Sequence, residues 1–276
     1  MMTNAAFGLL ALTLAAPAAA HDFWLQPSQW RPTGSADVEI ALEVGHAKDR
    51  QRSAIAATRL VMLDVVQADG SRVDLLPRLH LGEAQGDLSV TTARSAVPTM
   101  VVLVTDTDAE SRLPAERFNA YLKSEGLSSV IAWRSLHQRS AAEGSESYGR
   151  VAKALFQSQS DAPAVRRPLG LELEIVPLKS PYSMEASRGL PVQIHFRNAP
   201  LPAATVKLYD LADDTTPKAT CLTDPNGCCT FAFQPRGAWL VNVIWSVPNQ
   251  PGNPTDFRTI FSSLSFGFDP PNRSVQ

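Results

Sequence analysis

Cleavage after Ala20 would leave a histidine, His21, as the first residue of the mature chain, and a histidine in that place is a chelator. Its α-amine and Nδ1 close one ring on a metal ion, so a single residue supplies two nitrogens. The reference pKa values are near 7.7 to 8.0 for the amine and about 6.5 for imidazole, so both can ligate at neutral pH at small cost. Nitrogen donors of this hardness suit copper, nickel, cobalt or zinc rather than magnesium or calcium. Asp22 follows as a candidate oxygen ligand, and His46, after Gly45 at the end of a strand-like run, is the leading histidine partner. His21-Asp22-Phe23 is not the pattern with histidine third that wraps copper or nickel in backbone amides, so the partner must come from elsewhere. The bland reading has equal standing: many exported chains start on an arbitrary, frayed residue, and a histidine there does nothing.

The other chemistry-bearing residues are less suggestive. His80 and His137 read as solvated loop or helix positions, and His195 alternates with Ile194 and Phe196 as an outward strand residue. No H-x-H or H-E-x-x-H pair occurs, nor a G-x-S-x-G elbow or Gly-rich phosphate loop, so a non-enzyme is expected. Cys221, Cys228 and Cys229 fall in one short segment. A disulfide from Cys221 across Asp224-Pro225-Asn226-Gly227 is the natural reading, to either Cys228 or Cys229, because adjacent strand residues point to opposite faces.

Positioning these residues requires a fold, and the patterning is mainly that of β structure. Residues 1–20 read as a secretory signal: an apolar run from Ala5 ends in Ala18-Ala19-Ala20 and is too short to span a bilayer. The expected location is therefore periplasmic, with no membrane span after cleavage. Charges nearly balance, 25 basic against 27 acidic, which argues against nucleic-acid partners. Residues 21–108 hold strand-like runs such as Val38–Val44, Arg59–Gln67 and Thr99–Thr105 and are expected to form an N-terminal β-sandwich. Residues 109–168 are expected to be a helical segment and linker, with one helix opened by Pro114 and a second carrying Tyr148, Val151, Ala152 and Leu155 on one face. Residues 169–276 read as a second antiparallel sandwich, immunoglobulin-like or prealbumin-like.

An ordered set of segments then resembles one family. It runs from Ala20-His21-Asp22-Phe23-Trp24-Leu25-Gln26-Pro27 through Val44-Gly45-His46, Tyr121–Leu127, Tyr148–Leu155 and Leu171–Pro177 to Thr223–Gly227 and Gly237–Val241. This set is similar to the exported DUF4198 family, which is grouped with periplasmic components of nickel and cobalt uptake. The chain departs from that family at Asp256-Phe257-Arg258 and in its Cys-rich hairpin. The resemblance implies a nickel, cobalt or copper binding or delivery protein that passes its ion to a membrane importer, with His21 carried over by position and Gly45-His46 beside it. Two other functions stand against this: a non-catalytic exported module binding a protein or glycan, and, more remotely, a copper oxidase holding its metal through the terminal histidine.

Overall fold

The computed structural model describes residues 22–32, 36–46, 49–83, 86–92, 100–156, 163–183 and 189–269. The expected signal segment and His21 lie outside the described residues. The strands in chain order begin with β1 (Phe23–Pro27), β2 (Ala36–Val44), β3 (Gln51–Arg52), β4 (Leu60–Val66), β5 (Arg72–Asp74), β6 (Leu88–Thr92), β7 (Met100–Thr105) and β8 (Ala109–Leu113). Helices α1 (Ala115–Ser124) and α2 (Ser128–Leu136) follow, then β9 (Gly144–Leu155), β10 (Leu173–Pro177), β11 (Leu190–Phe196), β12 (Ala199–Pro200) and β13 (Thr205–Asp210). The chain continues through β14 (Ala219–Leu222), β15 (Cys228–Phe231), β16 (Gly237–Pro248) and β17 (Phe257–Phe268).

A nine-stranded central sheet runs β14-β13-β16-β17-β9-β7-β4-β5, with β8 also on β9. Strands β7 and β8 lie along the same edge of β9 in turn, Met100 opposite Leu155 and Leu113 opposite Gly144, so they form one long strand interrupted near Asp106. Two four-stranded sheets complete the molecule: β1-β2-β3 with β6 on β2, and β10-β11-β12 with β15 on β11.

Side-chain alternation explains the layering, since successive residues of a strand face opposite ways. Val101, Leu103, Ala152 and Ala154 point from the central sheet to one side, where Leu25, Val38, Ile40 and Leu42 of the first small sheet meet them. Met100, Val102, Val151 and Leu155 point to the other side and share a core with Leu173, Ile175, Val192, Ile194 and Phe231 of the second small sheet. Helices α1 and α2 cover part of the first side, setting Phe118, Tyr121, Leu122 and Val130 against Ile244, Phe257 and Phe261. The chain is thus mainly β, with sheets packed face to face as sandwiches, and the central sheet takes strands from both halves of the chain. Among the described residues no helix is long and apolar enough to cross a membrane.

Several elements differ from expectation, among them helix α2, which the sequence pattern does not indicate. Tyr148–Leu155 is not a helix but the end of strand β9, and between residues 109 and 168 the strands β8 and β9 accompany the two helices. Both faces of β9 are covered, so Val151, Ala152, Ala154 and Leu155 are all buried and no strand alternation shows; a short apolar run of that kind fits either structure. Strand β17 was not anticipated, because buried Ser262, Ser263 and Ser265 interrupt its apolar pattern, and it pairs in parallel with β9.

The cysteines are resolved by the same alternation. Cys221 of β14 bonds to Cys229 of β15, with Cα atoms 6.1 Å apart, which staples the central sheet to the second small sheet. Cys229 faces the core, so its neighbour Cys228 points away and stays a free thiol. A disulfide is the covalent form expected in an oxidising compartment. Closing a loop with a sequence separation of 8 should be worth about 2.5 kcal/mol through the unfolded chain. Urea unfolding of a Cys221→Ala, Cys229→Ala double variant should therefore show a loss of about that size, and no loss would mean the bond does not form.

Candidate metal centre

The amino-proximal strand is held in place by packing. Trp24 is fully buried with Tyr209, Leu211 and Leu240, and the Arg50 guanidinium lies 5.0 Å from its ring centroid. Arg50 is itself fixed by Asp214, 2.5 Å away, and by the Leu211 carbonyl. From β17 the Ser265 hydroxyl donates to the Leu25 carbonyl at 2.7 Å. Residue 22 therefore leaves a rigid strand, as a binding site needs.

The antiparallel register sets Phe23 opposite Val44, and the Gly45 amide donates to the Asp22 carbonyl at 3.0 Å. Gly45 has φ +106°, and a Cβ there would stand 2.5 Å from the Asp49 carbonyl oxygen, so the turn that carries His46 requires glycine. This turn brings His46 Nε2 to 3.5 Å from Asp22 Oδ2, with the imidazole beside the Tyr209 ring at 5.5 Å between centroids.

Asp22 is only 4% exposed. Its Oδ1 accepts a 2.5 Å hydrogen bond from Asn242 Nδ2, whereas the buried Oδ2 accepts none among the described residues. Burial, reinforced by the negative charge of Glu125, pushes the Asp22 carboxyl up to about 8 against the partial pull of Lys207 and Arg150. Asn242 of β16 is paired with Lys207 of β13, and Lys207 Nζ reaches Glu125 Oε2 at 2.6 Å. Burial and then the charge on Asp22 raise the Tyr209 hydroxyl well beyond its ordinary value.

The structure therefore brings Asp22 and His46 together, and His21, the residue before Asp22 in sequence, lies outside the described residues. Of the remaining histidines, His80 is exposed, and His137 and His195 are engaged locally. His137 Nδ1 lies 2.8 Å from the Trp133 carbonyl, and His195 Nε2 lies 3.0 Å from the Gln193 amide oxygen. Asn242, Lys207, Tyr209 and Arg150 were missed, since each is a single polar residue far from Asp22 in sequence. Asn242 alone left a signal, as the one amide in the apolar run Trp239–Val247.

Two donors bound to one ion at tetrahedral angle and ordinary bond lengths stand about 3.4 Å apart, close to the His46–Asp22 spacing of 3.5 Å. Imidazole nitrogen and carboxylate oxygen are a workable pair for a first-row divalent ion. Among the described residues no group of three His, Cys, Asp or Glu side chains converges, so a complete ligand set requires a donor beyond them.

No curated protein matches this chain. The family described as a domain of unknown function, DUF4198, matches residues 18–247, a span that includes Asp22, His46, Arg150, Lys207 and Asn242. The chain belongs to the DUF4198 family.

Proposed function

We propose that this protein is a carrier for a divalent transition metal ion, nickel, cobalt or copper, acting outside the cytoplasmic membrane and delivering its ion to a membrane importer. The observation that carries the reading is Asp22 Oδ2, a buried carboxylate oxygen with no hydrogen-bond donor among the described residues, 3.5 Å from an imidazole nitrogen and one residue from His21. A buried carboxylate with one oxygen lacking a hydrogen-bond donor is costly unless that oxygen takes a proton or a cation. At neutral pH an ion bound by His46 would replace that proton. His21 would add its imidazole and, after cleavage at Ala20, its amine. Nothing in this arrangement calls for a nucleophile or a general acid, so we read binding rather than catalysis.

Calorimetric titration of protein beginning at His21 with nickel, cobalt, copper and zinc tests the reading. His46→Ala, His21→Ala and a form with one extra residue before His21 should each weaken the tightest metal about 10- to 100-fold, or roughly 1.4 to 2.7 kcal/mol. Unchanged affinity in the extended form removes the amine as a ligand. If the parent binds none of the four, or His46→Ala binds as well as the parent, the site reading is lost. A non-catalytic module recognising a protein or glycan then takes its place.

A further inference from the structure

Arg150 is the group that the metal reading leaves unexplained. It lies on β9 in register with Phe261 of β17, one row of the central sheet beyond the row formed by Ala152 and Ser263, and Ser263 is paired with Asn242. Its guanidinium is surrounded by rings, 5.0 Å from that of Phe23, 5.7 Å from Tyr148 and 5.9 Å from Phe261. Phe23 is the neighbour of Asp22, and Arg150 and Asp22 feel each other's charge. The Arg150 side chain is hydrogen-bonded to Tyr148, whereas its Nη1 is shielded from solvent and donates to nothing among the described residues. The other carboxylates of the site are engaged, Glu125 with Lys207 and Asp214 with Arg50. Ser263 Oγ on this face is also without a hydrogen-bond partner among the described residues, but so is Ser262 Oγ on the opposite face, so a hydroxyl alone is no pointer. A shielded guanidinium nitrogen without an acceptor is one, because the group keeps its charge and its unpaired N–H can donate to an oxyanion.

A divalent ion held by Asp22 and His46 would lie within electrostatic reach of the Arg150 cation, leaving net positive charge uncompensated beside a buried carboxyl. Resting on the metal reading, we infer that the site takes its ion together with a small carboxylate-type anion, an organic carboxylate or bicarbonate, whose oxygens bridge the metal and Arg150. Arg150 is on this account the residue that selects a metal–anion pair over the bare ion.

Equilibrium dialysis of the protein beginning at His21, loaded with the tightest-binding of the four metals, tests this in three arms with labelled acetate, bicarbonate or citrate. One anion retained per bound metal is expected in at least one arm, which also separates bicarbonate from an organic acid. Retention should be at least 10-fold weaker without metal, and Arg150→Gln should lower the anion-to-metal ratio at least 10-fold. Arg150→Lys, which keeps the charge but loses the planar fork, should give an intermediate ratio and serves where the glutamine form does not fold. Metal bound with no anion in any arm, or an equal ratio in the Arg150 variants, overturns the inference and leaves the metal site standing. If no metal is retained, the metal reading itself falls and takes this one with it.

Discussion

Glu174→Ala should lower the unfolding free energy by about 3 to 5 kcal/mol, the range for removing one partner of a buried ion pair. Glu174 is 1% exposed and Lys153 2%. Their ion pair crosses the main core from β9 to β10, and Lys153 Nζ also donates to the Ile175 carbonyl at 3.1 Å. The same carboxylate accepts the amides of Leu169, Gly170 and Leu171 at 2.8 to 3.3 Å, which shapes the turn that leads into β10. Alanine would strand a buried ammonium with one carbonyl and three amides without their acceptor. Burial already pulls the Lys153 pKa down, with the negative charge of Glu174 opposing it. Urea unfolding of the single variant measures the cost. A Lys153→Met, Glu174→Leu double variant should recover only the part that belongs to the stranded ammonium, because paired apolar replacement removes both charges but leaves the three amides without their acceptor. A single-variant cost under about 1 kcal/mol would mean that solvent reaches the pair.

How far the sequence predicts this molecule depends on what each residue faces. Strands such as β2 and β11 were legible because one side meets a core and the other is less buried, giving Val38, Ile40 and Leu42, or Val192 and Ile194, at period two. Strand β9 was not, since the two small sheets cover it on both faces and even Lys153 is buried. The parallel pairing of β17 with β9 joins residues more than 100 positions apart and leaves no local trace. At the site, Asp22 and His46 could be linked because a strand, a glycine and a histidine followed one another in a short segment. Arg150, Lys207 and Asn242 reach the site only through the order of strands in the central sheet, which periodicity does not encode.

The metal-free protein should become less stable as pH rises through neutrality, and Glu146→Gln should remove much of that slope. Glu146 is 4% exposed beneath the helices. Thr259 donates to its Oε2 at 2.6 Å and the Tyr121 hydroxyl stands at 3.4 Å, contacts that favour the carboxylate; burial outweighs them and pushes the group up to about 7. In the unfolded chain the carboxyl titrates near its ordinary 4.5. Between those values the folded state holds a proton that the unfolded state has released, so the stability is fully present below about pH 4.5 and is lost as pH rises through about 7. The full loss is roughly 3 kcal/mol by linkage. Asp22, raised to about 8, adds a loss of the same sign. Unfolding midpoints from pH 5 to 9 should therefore fall steeply in the parent, and in Glu146→Gln mainly in the part that belongs to Asp22. A flat profile in the parent would show that water or a counter-charge reaches both carboxyls. A profile that Glu146→Gln leaves unaltered would assign the whole slope to the amino-proximal site.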